Sequence, residues 1–86
     1  MKKIRIAPVV LEGKVTGYRV KNIEPNSLAS RYGFQSGDVV TKVNGTPLVS
    51  LSRLSTIYRS IEPGKPVSVE VVRSGQPITL LFQVLP

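Results

Sequence analysis

Apolar and polar positions alternate with period two at both ends of the chain and shift to helical spacing in two places between them. Ile4, Ile6, Pro8 and Val10 interleave with Lys3, Arg5, Ala7 and Val9, the pattern of a strand with one buried face. Pro8 cannot donate to a ladder, so this strand belongs at a sheet edge with the Pro8 nitrogen facing outward. Alternate N–H groups point the same way, so Ile4 and Ile6 would present theirs at the open edge while Arg5, Ala7 and Val9 pair inward. Glu12-Gly13-Lys14 reads as a hairpin turn, and residues 15–23 return as a second strand with Val15, Tyr18, Val20 and Ile23 as candidate buried positions. Gly17 within that run marks a bulge. Glu24-Pro25 closes the strand, and Asn26 or Ser27 is placed to cap a short helix. The apolar stripe of that helix is Leu28, Ala29, Tyr32 and Phe34, and Gly33 ends it.

Ser36-Gly37-Asp38 then reverses the chain, Val39, Val40 and Val43 supply β-branched strand residues, and Asn44-Gly45 is a strong turn dipeptide. Thr46-Pro47-Leu48 makes a short extended segment, and Ser50 is positioned to cap a helix from Leu51 to about Ile61. Its apolar positions Leu51, Leu54, Tyr58 and Ile61 fall at i, i+3, i+7 and i+10, with Ile57 beside them. Glu62-Pro63-Gly64-Lys65-Pro66 ends this helix, and Val67, Val69 and Val71 alternate with Ser68, Glu70 and Val72 in a further strand. After Ser74-Gly75 a last strand has Ile78, Leu80 and Phe82 alternating with Thr79, Leu81 and Gln83. Apolar residues on both its faces place it inside the sheet, paired with residues 67–73. The layout is two strands, helix, strand, helix, two strands. That is an α+β domain, a partly open barrel or sandwich of about five to six strands capped by two helices.

Composition narrows the chemistry. The 86 residues make one small domain with little stability to spare. With no cysteine and no histidine there is no disulfide, no thiolate or imidazole metal ligand and no Ser-His-Asp triad. Asp38 follows Gly37 at a turn with no acid, base or nucleophile partner in view, which makes it a turn residue rather than a catalytic carboxylate. The remaining acids Glu12, Glu24, Glu62 and Glu70 are dispersed, so no catalytic residue, metal or cofactor is expected. A net charge of +7 raises nucleic acid as a partner, but only Lys2-Lys3-Arg5 cluster and the other cations are scattered singly. Neither nucleic-acid binding nor membrane contact by this segment is expected. No apolar run approaches the ~20 residues of a membrane span, and Met1-Lys2-Lys3 leads into alternation rather than a signal-peptide core.

The layout, together with Pro25-x-Ser27, Gly33-Phe34-x-x-Gly37-Asp38-Val39-Val40 and Val43-Asn44-Gly45, resembles the PDZ domain of the bacterial, circularly permuted type. In that type the strand that begins the animal version comes last, here Pro77 to Val84. Ile4-Arg5-Ile6-Ala7-Pro8-Val9, Gly13-Lys14-Val15-Thr16-Gly17-Tyr18-Arg19-Val20 and Val71-x-Arg73-x-Gly75-Gln76 are most similar to the C-terminal PDZ domain of type II secretion system protein C. Ser27 is followed by Leu28, where PDZ domains of trypsin-like periplasmic proteases usually have Pro-Ala, and Phe34 stands where leucine is commoner. The resemblance implies a piece of a longer inner-membrane protein with one N-terminal membrane helix and a periplasmic secretin-binding region. Its role would be periplasmic and non-enzymatic, binding secreted exoproteins or machinery partners. A regulatory PDZ domain of a periplasmic or membrane protease is the alternative, and a basic nucleic-acid-binding barrel a remote one.

The resemblance also implies where a partner would bind: in a groove between an edge strand and the second helix, where an extended segment adds as a strand. Ile4 and Ile6 would pair with it, Leu51, Leu54 and Tyr58 would form the apolar wall, and Ser55 could hydrogen-bond from a flanking position. Pro8 would limit the ladder to a short contact. The loop that holds a terminal carboxylate in other PDZ domains would fall at or before Met1 to Lys3, where Lys2, Lys3 and Arg5 could attract an acidic segment. Open edges also allow self-association.

Overall fold

The computed structural model describes residues 3–84, with the side chains of Leu51 and Leu54 outside the described set. Its strands are β1 (Arg5–Leu11), β2 (Lys14–Lys21), β3 (Val39–Val43), β4 (Thr46–Pro47), β5 (Pro66–Arg73) and β6 (Gln76–Gln83). They form one antiparallel sheet in the order β1-β2-β3-β5-β6, with β4 paired to β3. Two short helices, α1 (Leu28–Arg31) and α2 (Leu54–Ser60), complete it, and a 3-10 turn at Leu51–Arg53 leads into α2. The expected α+β layout is therefore present. The turns at Glu12-Gly13, Asn44-Gly45 and Ser74-Gly75 each hold both residues at positive φ, the backbone twist that two-residue hairpins need.

Alternation in β5 builds the centre. Val67, Val69 and Val71 are buried and form one cluster with Tyr18, Val40, Val43, Leu48 and Ile57. β6 does pair with β5, but it ends the sheet instead of lying inside it, and Leu81 on its outer face is 70% exposed. Its apolar residues on two faces reflect an uneven use: Ile78, Leu80 and Phe82 pack on the core and Leu81 does not.

The first strand also departs from its pattern. β1 lies at the sheet edge as Pro8 requires, yet no residue of it is buried, and only Val9 is half-buried. The reason is the narrow seam behind it: β2 registers with β3 only at Tyr18↔Val40 and Arg19↔Val39, so the β1–β2 hairpin extends past the core. The bulge expected at Gly17 is there, as a register shift between Val9 and Val10, which face Gly17 and Val15. A Cβ at Gly17 would sit 2.6 Å from the Val40 carbonyl oxygen and 2.9 Å from a Val39 methyl, so only glycine permits this close crossing.

In α1, Ser27 is the cap, its Oγ accepting from the Ser30 amide at 3.2 Å. Leu28 is exposed, because a single helical turn is too short to bury a full stripe. Burial falls instead to the residues that follow: Tyr32 stacks on Phe82 at 4.4 Å, and Phe34 meets Phe82 edge-on at 6.0 Å. Ser50 does not cap α2 through its side chain; Arg53 occupies the cap position with no side-chain bond.

Candidate functional site

β1 carries no strand on its outer edge among the described residues, so its free main-chain groups face solvent there. Register sorts its side chains. Ile6 lies across from Val20, and Pro8 across from Tyr18. Tyr18 belongs to the buried cluster, so Ile6 and Pro8 share its core-side face. Ile6 is nevertheless 58% exposed and Ile4 is exposed beside it. The core side of the sheet thus runs out to an uncovered apolar margin.

The second helix sits over that same side. Ile57 is 5% exposed and clusters with Tyr18 and Val40, which fixes the face α2 turns to the sheet. Of the side chains expected to form the wall, Leu51, Leu54 and Tyr58, the structure describes Tyr58, which is 79% exposed next to the buried Ile57. Successive helical residues are ~100° apart, which puts Tyr58 on the flank of α2 and turns Ser55, about 160° around from Ile57, away from the sheet. Ile6 and α2 are brought to one side of the sheet, Tyr58 flanks it, and Ser55 does not join them. The side chains of Leu51 and Leu54, like Lys2, lie outside the described residues.

Two polar clusters hold these elements, and both escape a residue-by-residue reading. Asn44 donates Nδ2 to the Ser60 carbonyl and lies against Ser60 Oγ, each at 3.2 Å, while its Oδ1 accepts from the Ser68 amide at 2.9 Å. One side chain thereby ties the C-terminus of α2 to β5. Asp38, 1% exposed, accepts from Arg73 Nε at 2.9 Å and Nη2 at 2.8 Å, and from the Gln35 amide at 2.9 Å. The same Nη2 donates to the Gly33 carbonyl at 2.7 Å, so Arg73 is a structural cation and not one of the scattered surface charges. Burial pushes the Asp38 carboxyl up, but the bonds from Arg73 and Gln35 and the charge of Arg73 outweigh it and hold the group below the ordinary carboxylate value. Both partners stand in stretches already singled out, Gly37-Asp38 and Val71-x-Arg73. Among the described residues no group of three acids, histidines or cysteines could hold a metal ion, and no helix is long and apolar enough to cross a membrane.

Comparison with known proteins gives this architecture its family. The profile of the PDZ domain matches residues 3–84. The chain belongs to the PDZ family. This PDZ domain is 39% identical over 61 residues to the Regulator of sigma-E protease RseP of Escherichia coli, a match covering 71% of the chain and 13% of that protein. The chain thus spans roughly an eighth of the curated relatives it matches first. Among solved structures it resembles the PDZ domain of EpsC from Vibrio cholerae at 30% identity and a TM-score of 0.70, over 93% of this chain and 76% of that one. It also resembles the HtrA3 PDZ domain bound to a phage-derived ligand, FGRWV, at 33% identity and a TM-score of 0.65, over 96% of this chain and 80% of that one. The PDZ domain of the pullulanase C protein of the type II secretion system from Klebsiella pneumoniae is similar as well, at 25% identity and a TM-score of 0.68 over 94% of this chain and 84% of that one, so secretion and protease PDZ domains both stand among the similar proteins.

Proposed function

We propose that this PDZ domain is a non-enzymatic docking module that takes an extended segment of a partner against the free edge of β1, in a groove whose far wall is α2. The observation that carries the reading is the exposed Ile6 on the core-side face of an edge strand, on the side of the sheet where Ile57 seats α2. Main-chain pairing along β1 would supply affinity, and Ile4, Ile6 and Tyr58, together with Leu51 and Leu54 as the expected apolar wall, would supply selectivity. The proposed setting is the periplasm, within a longer inner-membrane-anchored component of a type II secretion system, with exoproteins or machinery proteins as partners. The likeness to the EpsC domain over 93% of the chain supports this.

The 39% identity to RseP favours a second reading, a regulatory PDZ domain of a membrane or periplasmic protease. Amide-shift mapping with exoproteins and C-terminal peptides tests both. Shifts centred on residues 4–10 and on Tyr58 are expected, and shifts confined to other surfaces would remove the groove. Binding lost on amidation of a peptide's terminal carboxylate would select the protease reading.

A further inference from the structure

The face of the β1–β2 hairpin turned away from Tyr18 has the opposite character to the apolar margin. Arg5 lies directly across from Lys21, and Ala7 directly across from Arg19, so three cations occupy four adjoining positions. Arg19 is half-buried and donates Nη1 to the Gly37 carbonyl at 3.0 Å. Arg5 and Lys21 are exposed and join no ion pair among the described residues, where the pairs are Lys65–Glu62 and Arg73–Asp38. Like charges set opposite each other weaken an antiparallel pair, and a net charge of +7 adds to the cost. Such a face is relieved by an anion from outside.

Its position says which kind. A strand added to β1 places every second side chain beside Ile6 on the apolar face and the others beside Arg5 on the basic one. We propose that β1 selects a segment in which Asp or Glu alternates with apolar residues, the acids lying next to Arg5 with Lys21 one strand behind. This rests on strand addition at β1 as proposed above. The alternation is the same for either direction of the added strand. A basic patch two strands wide beside a free edge suits one extended chain better than a membrane surface or a nucleic acid, which would call for a broader field or interleaved aromatics.

The test uses two synthetic peptides with the same apolar residues at alternate positions, carrying Glu or Gln at the others, titrated into the chain by fluorescence anisotropy and amide-shift mapping. The Glu peptide is expected to bind about three- to tenfold tighter at low salt, with the advantage shrinking as salt is added. Arg5→Glu and Lys21→Glu should each abolish the difference, with Arg5→Gln and Lys21→Gln as milder variants whose unfolding curves report an intact fold. Equal affinities with shifts on β1 would overturn the acidic preference and leave strand addition standing. No shifts on β1 from either peptide would remove both. Capture of anionic lipid vesicles through Arg5 and Lys21, without any preference for the Glu peptide, would reassign the face to a membrane and overturn the proposal.

Discussion

Asp38 shows how much of this fold hangs on one carboxylate. With its side chain buried and Arg73 about a quarter exposed, Asp38→Asn leaves a guanidinium short of its partner at the α1–β3 junction. The expected loss is about 2–3 kcal/mol, below the usual figure for a fully buried pair because solvent reaches Arg73, and urea unfolding measures it. Because the folded carboxyl titrates below its unfolded value of ~3.9, its contribution is complete above that pH and is lost as pH falls through the folded value. Unfolding midpoints should therefore hold level at neutral pH and drop in acid, with a shallower drop in Asp38→Asn. Gly17→Ala should cost about 1–3 kcal/mol, since the new methyl meets backbone on β3, which cannot rotate away. A glycine in a strand signals a bulge in the sequence, and that much was legible. That the bulge sits 2.6 Å from a neighbouring carbonyl was not, because β3 lies over twenty residues further on.

The elements themselves were readable where local pattern and tertiary packing agree. Val67, Val69 and Val71 alternate in the sequence and are buried in the structure, and every turn dipeptide closes the hairpin it suggests. In the second helix, seven residues long after a 3-10 turn, uniform spacing from Leu51 puts Tyr58 on the buried stripe, whereas Tyr58 is exposed and Ile57, expected beside that stripe, meets the core. Nothing local marks Asn44 as more than a turn residue, since its partners Ser60 and Ser68 are distant in sequence. Asn44→Gly keeps the positive φ and removes the tie, which separates the two roles. The expected outcome is a loss of about 1 kcal/mol, faster amide exchange at the end of α2 and weaker peptide binding, while Asn44→Ala also strains the turn and loses more.

At the scale of the molecule, the sheet is unevenly joined. β3, β5 and β6 share long registers, whereas the hairpin meets β3 through two register pairs and the flanking bonds of Val20 with Asp38 and Gly37. Native-state hydrogen exchange should show β1 and β2 amides opening at lower free energy than those of β5, with a bound peptide slowing them. Periodicity places β6 inside the sheet because it cannot distinguish a strand with both faces covered from an edge strand carrying one exposed leucine. Among the described residues the main strand path ends in two strands of different sequence, β1 and β6. Edge-to-edge contact between unlike ends does not close on itself, so association by that route would grow as an open chain of subunits instead of stopping at a pair. Mutual repulsion at +7 opposes it, and sedimentation should find monomers in dilute buffer and larger species once salt screens the charge. Each free strand also holds a proline, Pro8 in one and Pro77 in the other, so neither end offers a full row of donors and any such filament would be poorly cemented.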